Sequence, residues 1–411
     1  MKRMPKPVYL AAGAYTVSLG TGRPEFSPKR PRPGLDATIR EAGRLALAQI
    51  ADPAAIDECV IGNFMAARFN RQGHLGSLMV NVHPALEFKP ALRVEGACAS
   101  GGLALASGIK SILSGMADVV LVMGVEVQNT VKAIYCADFL AGAGWYEGER
   151  KDGHAYFFPG RFSERAGAYG ARIGMERARE GCAHWFLNAI ENARLNPAAQ
   201  EHTNRAGDLL ALGRTAPNPR TFTEHLNLFD CSKVSDGAAA ILVASEAGLH
   251  RLGLARKDAV EVAGLGHAAA NLTTPPPDLA EMTTSKLAAG NALKMAGIGI
   301  GDVGVAEVHD CFTVTGLLLA EALGMAAPGE GADAIAAGIT RRDGRWPTNT
   351  GGGLIGYGHP TGATGVRMAV DLWRQLTGRA VGYQVEVRKE HGLLVNMGGN
   401  DKTVVSLALR R

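Results

Sequence analysis

Hydrophobic and polar positions along the 411 residues fall into two textures. Short unbroken apolar runs at 119–123 and 393–395 read as strands buried on both faces. Longer stretches carry apolar residues at helical spacing, and 35–50, 284–296 and 366–376 are predicted as helices. Leu103, Ala104, Leu105, Ile109, Ile112 and Leu113 form the apolar face of a further helix, which Gly115 is placed to stop. The textures recur in the same order. The helix pattern 35–50 leads into a turn and a buried strand within 54–64, and 284–296 leads into the same shape within 301–312. Ser235-Asp236-Gly237 and the apolar run after it parallel Asn400-Asp401-Lys402 and the run that follows. Such a repeat predicts two packed α/β halves with mostly parallel sheets.

Between 126 and 216 strand-like runs disappear, and aromatic, glycine and charged residues take over. From Arg150 to Arg220 there are eleven Lys/Arg against seven Asp/Glu. The expected organisation is a first half at 1–125, an inserted loop domain at 126–216, completion of the first half at 217–250, and a second half at 251–411. The insertion is expected to cover a site, although any single arginine within it reads better as a solvated surface charge.

Composition narrows the function. A chain 46% apolar and 20% charged is globular, neither disordered nor fibrous. A net charge of +4 gives no reason to expect nucleic acid, while leaving room for small polyanions. The six cysteines, at 59, 98, 136, 182, 231 and 311, have no C-x-x-C pair and suit a reducing compartment. The N-terminus lacks an apolar signal core, no run approaches 18 apolar residues, and the end Leu409-Arg410-Arg411 is not a peroxisomal address. A cytoplasmic enzyme without membrane attachment is expected.

Three distant segments surround reactive side chains with small residues. Gly96-Ala97-Cys98-Ala99-Ser100-Gly101 places a thiol where a glycine-lined turn feeds a helix. Unpaired N–H groups there favour thiolate and can hold an oxyanion. Val308-His309-Asp310-Cys311-Phe312-Thr313 follows a buried strand, a common place for catalytic groups. Gly358-His359-Pro360-Thr361-Gly362-Ala363-Thr364-Gly365 pins a histidine between glycine and proline ahead of a helix. A lone cysteine is ordinarily buried and inert, and either histidine alone reads equally well as structural. Together they support acyl transfer, with a histidine taking the thiol proton and a second cysteine working as acid and base. Gly351-x-Gly353-x-x-Gly356 matches the dinucleotide fingerprint but does not open a helix directly. His309 and Cys311 have no second ligand pair at metal-site spacing, so no metal is expected.

These three boxes resemble the thiolase superfamily along nearly the whole chain, specifically the branch of the sterol carrier protein X thiolase domain. Asn192-Ala193-Arg194-Leu195-Asn196-Pro197 and the stretch from Leu228 to Ala240 match that branch too. The His-Asp-Cys-Phe box separates it from ordinary thiolases, which carry Asn-Glu-Ala-Phe. The resemblance implies a five-layered αβαβα fold of two duplicated halves with an inserted loop domain. It implies that Cys98 is the acylated nucleophile, that His359 activates it and helps bind the thioester oxygen, and that His309 completes that oxyanion site. Cys311 would act as acid/base on the α-carbon or on the incoming CoA thiol. Coenzyme A thioesters would be the substrates, with no tightly bound cofactor, and arginines between 150 and 220 would be candidates to support CoA. Assembly as a homodimer or homotetramer is implied.

The C-terminal box departs from the pattern. Where ordinary thiolases have Cys-x-Gly and this branch a His-Asn-x-Gly-like stretch, the chain reads Val395-Asn396-Met397-Gly398-Gly399-Asn400-Asp401. The glycines survive, so a second oxyanion hole from the N–H groups of Cys98 and Gly398 is expected, with substrate preference left open. No sterol-carrier domain is expected after residue 411. The leading expectation is a thiolase cleaving 3-oxoacyl-CoA with CoA, or running the reverse Claisen condensation. An acyltransferase subunit passing the acyl group to a non-CoA acceptor within a complex is the alternative. A non-catalytic scaffold is disfavoured because all four reactive residues are kept.

Overall fold

The computed structural model describes residues 4–27, 29–150 and 154–411. Among the described residues nine strands order the chain: β1 (Tyr9–Tyr15), β2 (Glu58–Gly62), β3 (Ala91–Val94), β4 (Val119–Glu126), β5 (Gly237–Ala244), β6 (Ala259–Ala269), β7 (Val303–Val308), β8 (His391–Gly398) and β9 (Thr403–Arg410). The helices used below are α1 (Leu35–Leu47), α2 (Ser100–Ser114), α3 (Ala133–Leu140), α4 (Phe157–Ile173), α5 (Met175–Leu195), α6 (Thr283–Ala296), α7 (Thr313–Ala322) and α8 (Thr364–Thr377). The glycine stop expected for α2 is present, with Gly115 at φ +80°.

Among the described residues the strands run β3-β2-β4-β5-β1-β6-β9-β8-β7. Read outward from the middle, the repeat becomes visible: β1-β5-β4-β2-β3 on one side and β6-β9-β8-β7 on the other. Thr348 bridges to Ala306 in β7 in parallel, as β3 lies beside β2. The strands of the two halves join through three residue pairs of β1 and β6, Tyr9–Glu261, Leu10–Val260 and Ala11–Ala259. The two Asp-containing segments paired by sequence lead into β5 and β9, which hold equivalent places.

The expectation of mostly parallel sheets is corrected. β2 pairs in parallel with β3 and β4, and β7 with β8, but the other five pairings are antiparallel. The apolar runs report burial on both faces, which layered helices impose whatever the strand direction. β8 and β9 are joined by residues 399–402 alone, a tight turn that permits only antiparallel pairing.

The side-chain alternation of β4 shows the layering. Val120 and Val122 point into a central core shared with α2 and α8, whereas Val119, Leu121 and Met123 point into an outer core with α1. In the second half Leu394 joins the central core, and Leu393 and Val395 face the other outer core with residues of α6. The order is α1, sheet, α2 with α8, sheet, α6: five layers. Residues 97–114 are apolar and long enough to span a membrane by composition alone, and here they form the middle layer. The middle helices cross at backbone distance. A Cβ on Gly101 would lie 2.8 Å from Gly365 N, and one on Gly365 would lie 2.3 Å from Gly102 N. Glycine at this crossing brings the N-termini of α2 and α8 together. Residues 127–236 leave the sheet, and α4, α5 and α7 pack in the second outer core beside that opening.

Candidate active site

Cys98 sits in the turn between β3 and α2. The turn holds a non-glycine residue in the left-handed region, Ala97 at φ +54°. It is fastened locally: Ala97 N–H donates to Glu95 Oε1 (2.5 Å), Gly96 N–H to Ser100 Oγ (3.1 Å), and Ser100 Oγ to Ala97 O (2.6 Å). Cys98 is half-buried and opens onto a cavity of about 190 Å³. His309, Cys311, His359 and Gly399 line the same cavity. All four reactive residues singled out in the sequence therefore converge. Cys98 Sγ and nitrogens of His309 and His359 lie within 4.8 Å of one another. The imidazoles meet edge to face, centroids 5.1 Å apart at 83°.

The hydrogen bonds give the two histidines opposite tautomers. Thr364 Oγ1 donates to Pro360 O (3.1 Å), so at 2.7 Å it accepts from His359 Nδ1–H. The lone pair of His359 is then on Nε2, which is buried and has no hydrogen-bond partner among the described residues. His309 is set the other way. Asn396 Nδ2 donates to Cys98 O (3.0 Å) and to His309 Nδ1 (3.2 Å), while Asn396 Oδ1 accepts from Gly102 N–H (2.9 Å). Acceptance at Nδ1 leaves the proton on Nε2. One ring offers a base and the other a donor.

Burial keeps these groups neutral. It lowers His359 to about 3, helped by the charge of Arg367, and pushes His309 well below the usual histidine range. The Cys98 thiol is pushed up to about 12, first by burial and then by Glu126; N–H groups of Gly399 and Cys98 itself pull the other way. The expected thiolate preference is therefore corrected, because desolvation outweighs the helix terminus. Burial also raises Cys311, with a further push from Cys98. Asp310, between the reactive His309 and Cys311, is structural. It accepts from Leu354 N–H (2.7 Å) and Trp185 Nε1–H (3.0 Å), and burial raises it to about 6.

Next to Gly398, a second glycine offers a donor at Cys98. Gly399 N–H faces Cys98 Sγ and Gly399 lines the cavity, whereas Gly398 ends β8 opposite Thr403. Gly398 packs so tightly that a Cβ would lie 2.2 Å from Gly96 O.

Sequence reasoning assigned no role to three residues. Asn396 appeared only as a departure from pattern, and Thr364 only inside a motif. Glu126 ends a buried strand and gathers the N–H groups of Phe64 (3.0 Å), Met65 (3.1 Å) and Gly362 (3.1 Å), Asn63 Nδ2 (2.9 Å) and Thr361 Oγ1 (2.9 Å). A charged residue closing a wholly apolar run was the available signal. The arginines of the insertion are largely committed elsewhere. Arg172 pairs with Asp278, Arg177 with Asp333, Arg179 with Asp230 and Arg214 with Glu180. Arg165 is buried against Asn400 and the carbonyls of Leu279 and Glu281.

The comparisons agree with this geometry. The thiolase N-terminal domain model matches residues 36–247, and the thiolase C-terminal domain-like model matches 264–411. The chain is 36% identical over 370 residues to an acetyl-CoA acetyltransferase of Methanothermobacter thermautotrophicus, covering 89% of this chain and 91% of that protein. It is 29% identical to human sterol carrier protein 2 over 89% of this chain and 66% of that protein. A solved Ltp2–ChsH2(DUF35) aldolase superposes with a TM-score of 0.77 at 20% identity, covering 100% and 99% of the two chains. Two duplicated α/β halves whose middle helices bring a cysteine and two histidines to one cavity, matched by both domain models, place this chain in the thiolase family.

Proposed function

We propose that Cys98 carries the acyl group in a thiolase-type reaction, in which a 3-oxoacyl-CoA is cleaved by CoA or formed by the reverse condensation. The observation that carries this is the convergence of the Cys98 sulfur with two oppositely protonated imidazoles within 4.8 Å. In thiolysis, His359 Nε2 takes the Cys98 proton as sulfur attacks the 3-oxo carbon. The C2–C3 bond breaks, and its electron pair passes to the departing thioester as an enolate. His309 Nε2–H and the newly protonated His359 hold the enolate oxygen, and Cys311 delivers the proton to the α-carbon. The N–H groups of Cys98 and of the Gly398–Gly399 segment hold the acyl oxygen on the enzyme. CoA thiol, losing its proton to Cys311, then attacks the acyl group and restores Cys98. A neutral resting site favours this order, since proton transfer accompanies attack and does not precede it.

CoA and its thioesters serve as substrates, and no step requires a tightly bound group. Six free cysteines without a disulfide among the described residues support a cytoplasmic site of action. Lipid or related acyl metabolism, and assembly as a homodimer or homotetramer, belong to the same reading. The likeness to an aldolase solved together with a DUF35 protein supports a second reading, in which an accessory subunit completes the enzyme. Thiolysis by wild type and Cys98→Ala, with mass analysis of the intact chain after exposure to acyl-CoA, tests both. Cys98-dependent turnover by the isolated chain supports the thiolase. Acylation of Cys98 without turnover supports the partnered enzyme, and neither signal overturns the reaction proposed here.

A further inference from the structure

The cavity at Cys98 is larger than acetyl transfer requires, and its wall is almost wholly apolar. An apolar cavity of about 150 Å³ takes up benzene, and this one is about 190 Å³. One wall is α3. Ala133, Cys136, Ala137 and Leu140 line the cavity and are spaced i, i+3, i+4 and i+7, one complete face of the helix. Three of the four side chains are no larger than a thiol, so the room is made by small residues where helical geometry would accept large ones. The helix is held from its far side: Phe139 meets Phe69 edge to face at 5.3 Å, and Arg68 lies over the Phe139 ring at 4.3 Å. Opposite stands an aromatic wall, with Phe162 stacked on Phe312 at 4.5 Å and 20°. Lys233 is the charged side chain at the margin, and it faces Glu201 at 3.8 Å.

We infer that the acyl group accepted on Cys98 is an uncharged apolar group larger than acetyl, either a medium-length chain or an aryl ring, and that the Ala133/Cys136/Ala137/Leu140 face of α3 sets this limit. The inference rests on the acyl-Cys98 reading above and deepens it. Small residues on α3 leave volume that a longer acyl group fills with dispersion contacts and water release, gains that acetyl does not have. Each methylene withdrawn from water is worth about fourfold. A substrate with several additional methylenes should therefore gain at least tenfold in kcat/KM over acetoacetyl-CoA. Among the described lining residues a carboxylated acyl group would meet one cation, Lys233, which already faces Glu201, and would lose that gain.

The experiment is a kcat/KM profile of the full chain, with any required partner, for acetoacetyl-CoA, 3-oxooctanoyl-CoA, 3-oxo-3-phenylpropanoyl-CoA and 3-oxoadipyl-CoA. The expected result is that the octanoyl or phenyl substrate leads by at least tenfold and the adipyl substrate falls behind. The two apolar substrates distinguish chain from ring. Ala137→Phe places a benzyl ring in the cavity and should reduce the ratio of octanoyl to acetoacetyl kcat/KM by roughly tenfold or more. Leu140→Ala should move the optimum to longer chains. If Ala137→Phe fails to fold, the wild-type profile and Leu140→Ala still decide. Preference for acetoacetyl-CoA, or a ratio that neither variant moves, overturns this inference and leaves the thiolase reading intact. Absence of Cys98-dependent turnover with every substrate overturns that reading instead.

Discussion

Replacing Asn396 by aspartate is the sharpest test of the opposed tautomers. The change keeps shape and volume but exchanges the donor Nδ2 for an acceptor. Asn396 is fully buried, donates to Cys98 O at 3.0 Å and to His309 Nδ1 at 3.2 Å, and accepts from Gly102 N–H at 2.9 Å. With a carboxylate at 396, His309 must turn its proton to Nδ1, which strips the donor from Nε2 where the thioester oxygen would lie. Loss of one preorganised oxyanion donor costs about 10²–10³ in rate, or roughly 2.7–4 kcal/mol of barrier. The carboxylate also stands against the Cys98 carbonyl, so a lowered melting temperature accompanies the effect. To separate catalysis from stability, single-turnover thiolysis is measured below the transition in wild type, Asn396→Asp, His309→Ala and the double variant. If Asn396 acts through His309, its substitution adds little once His309 is gone. Nitrogen-15 chemical shifts of labelled imidazole should show the proton moving from Nε2 to Nδ1. A folded Asn396→Asp enzyme within threefold of wild type, or full additivity with His309→Ala, would refute the assignment.

The acid limb of acylation should lie far below the ordinary histidine value. Burial holds His359 at about 3, its neutral form is the competent base, and so the rate should stay level from pH 8 to pH 5 and fall only as pH approaches 3. Stopped-flow acylation against pH measures this, and a limb near 6.5 would contradict it. The same lowered pKa makes stability complete above the unfolded value of 6.5 and progressively lost as pH falls toward 3. His359→Asn should accordingly reduce the acid sensitivity of the denaturation midpoint. Between the sheets, Arg367 Nη1 holds Glu307 at 2.9 Å and Asp371 at 2.5 Å, with all three side chains at most 2% exposed. Arg367→Met leaves buried carboxylates uncompensated, and guanidinium titration should show a loss of about 3–5 kcal/mol.

Much of the architecture is legible in the chain because it depends on local chemistry. Apolar runs fix which strands are buried on both faces, helical spacing and Gly115 bound α2, and the matching Asp236 and Asp401 segments disclose the duplication. The three small-residue boxes announce Cys98, His309, Cys311 and His359 because a ligand-facing turn tolerates little bulk. Other features depend on partners hundreds of residues away. Strand direction followed from connection lengths, not from hydrophobicity. The tautomers of His309 and His359 were decided by Asn396 and Thr364, whose spatial roles no spacing encodes. Charge state was decided in the same way. A thiol at a helix N-terminus leans toward thiolate when considered locally, but enclosure between the two halves removes the water that would solvate the anion, and the charge of Glu126 adds to the penalty. The sequence alone determined which groups could react, because reactivity resides in the side chain. The tertiary structure decided which of them hold protons and how much room the acyl group has, because desolvation and cavity shape are properties of many residues at once.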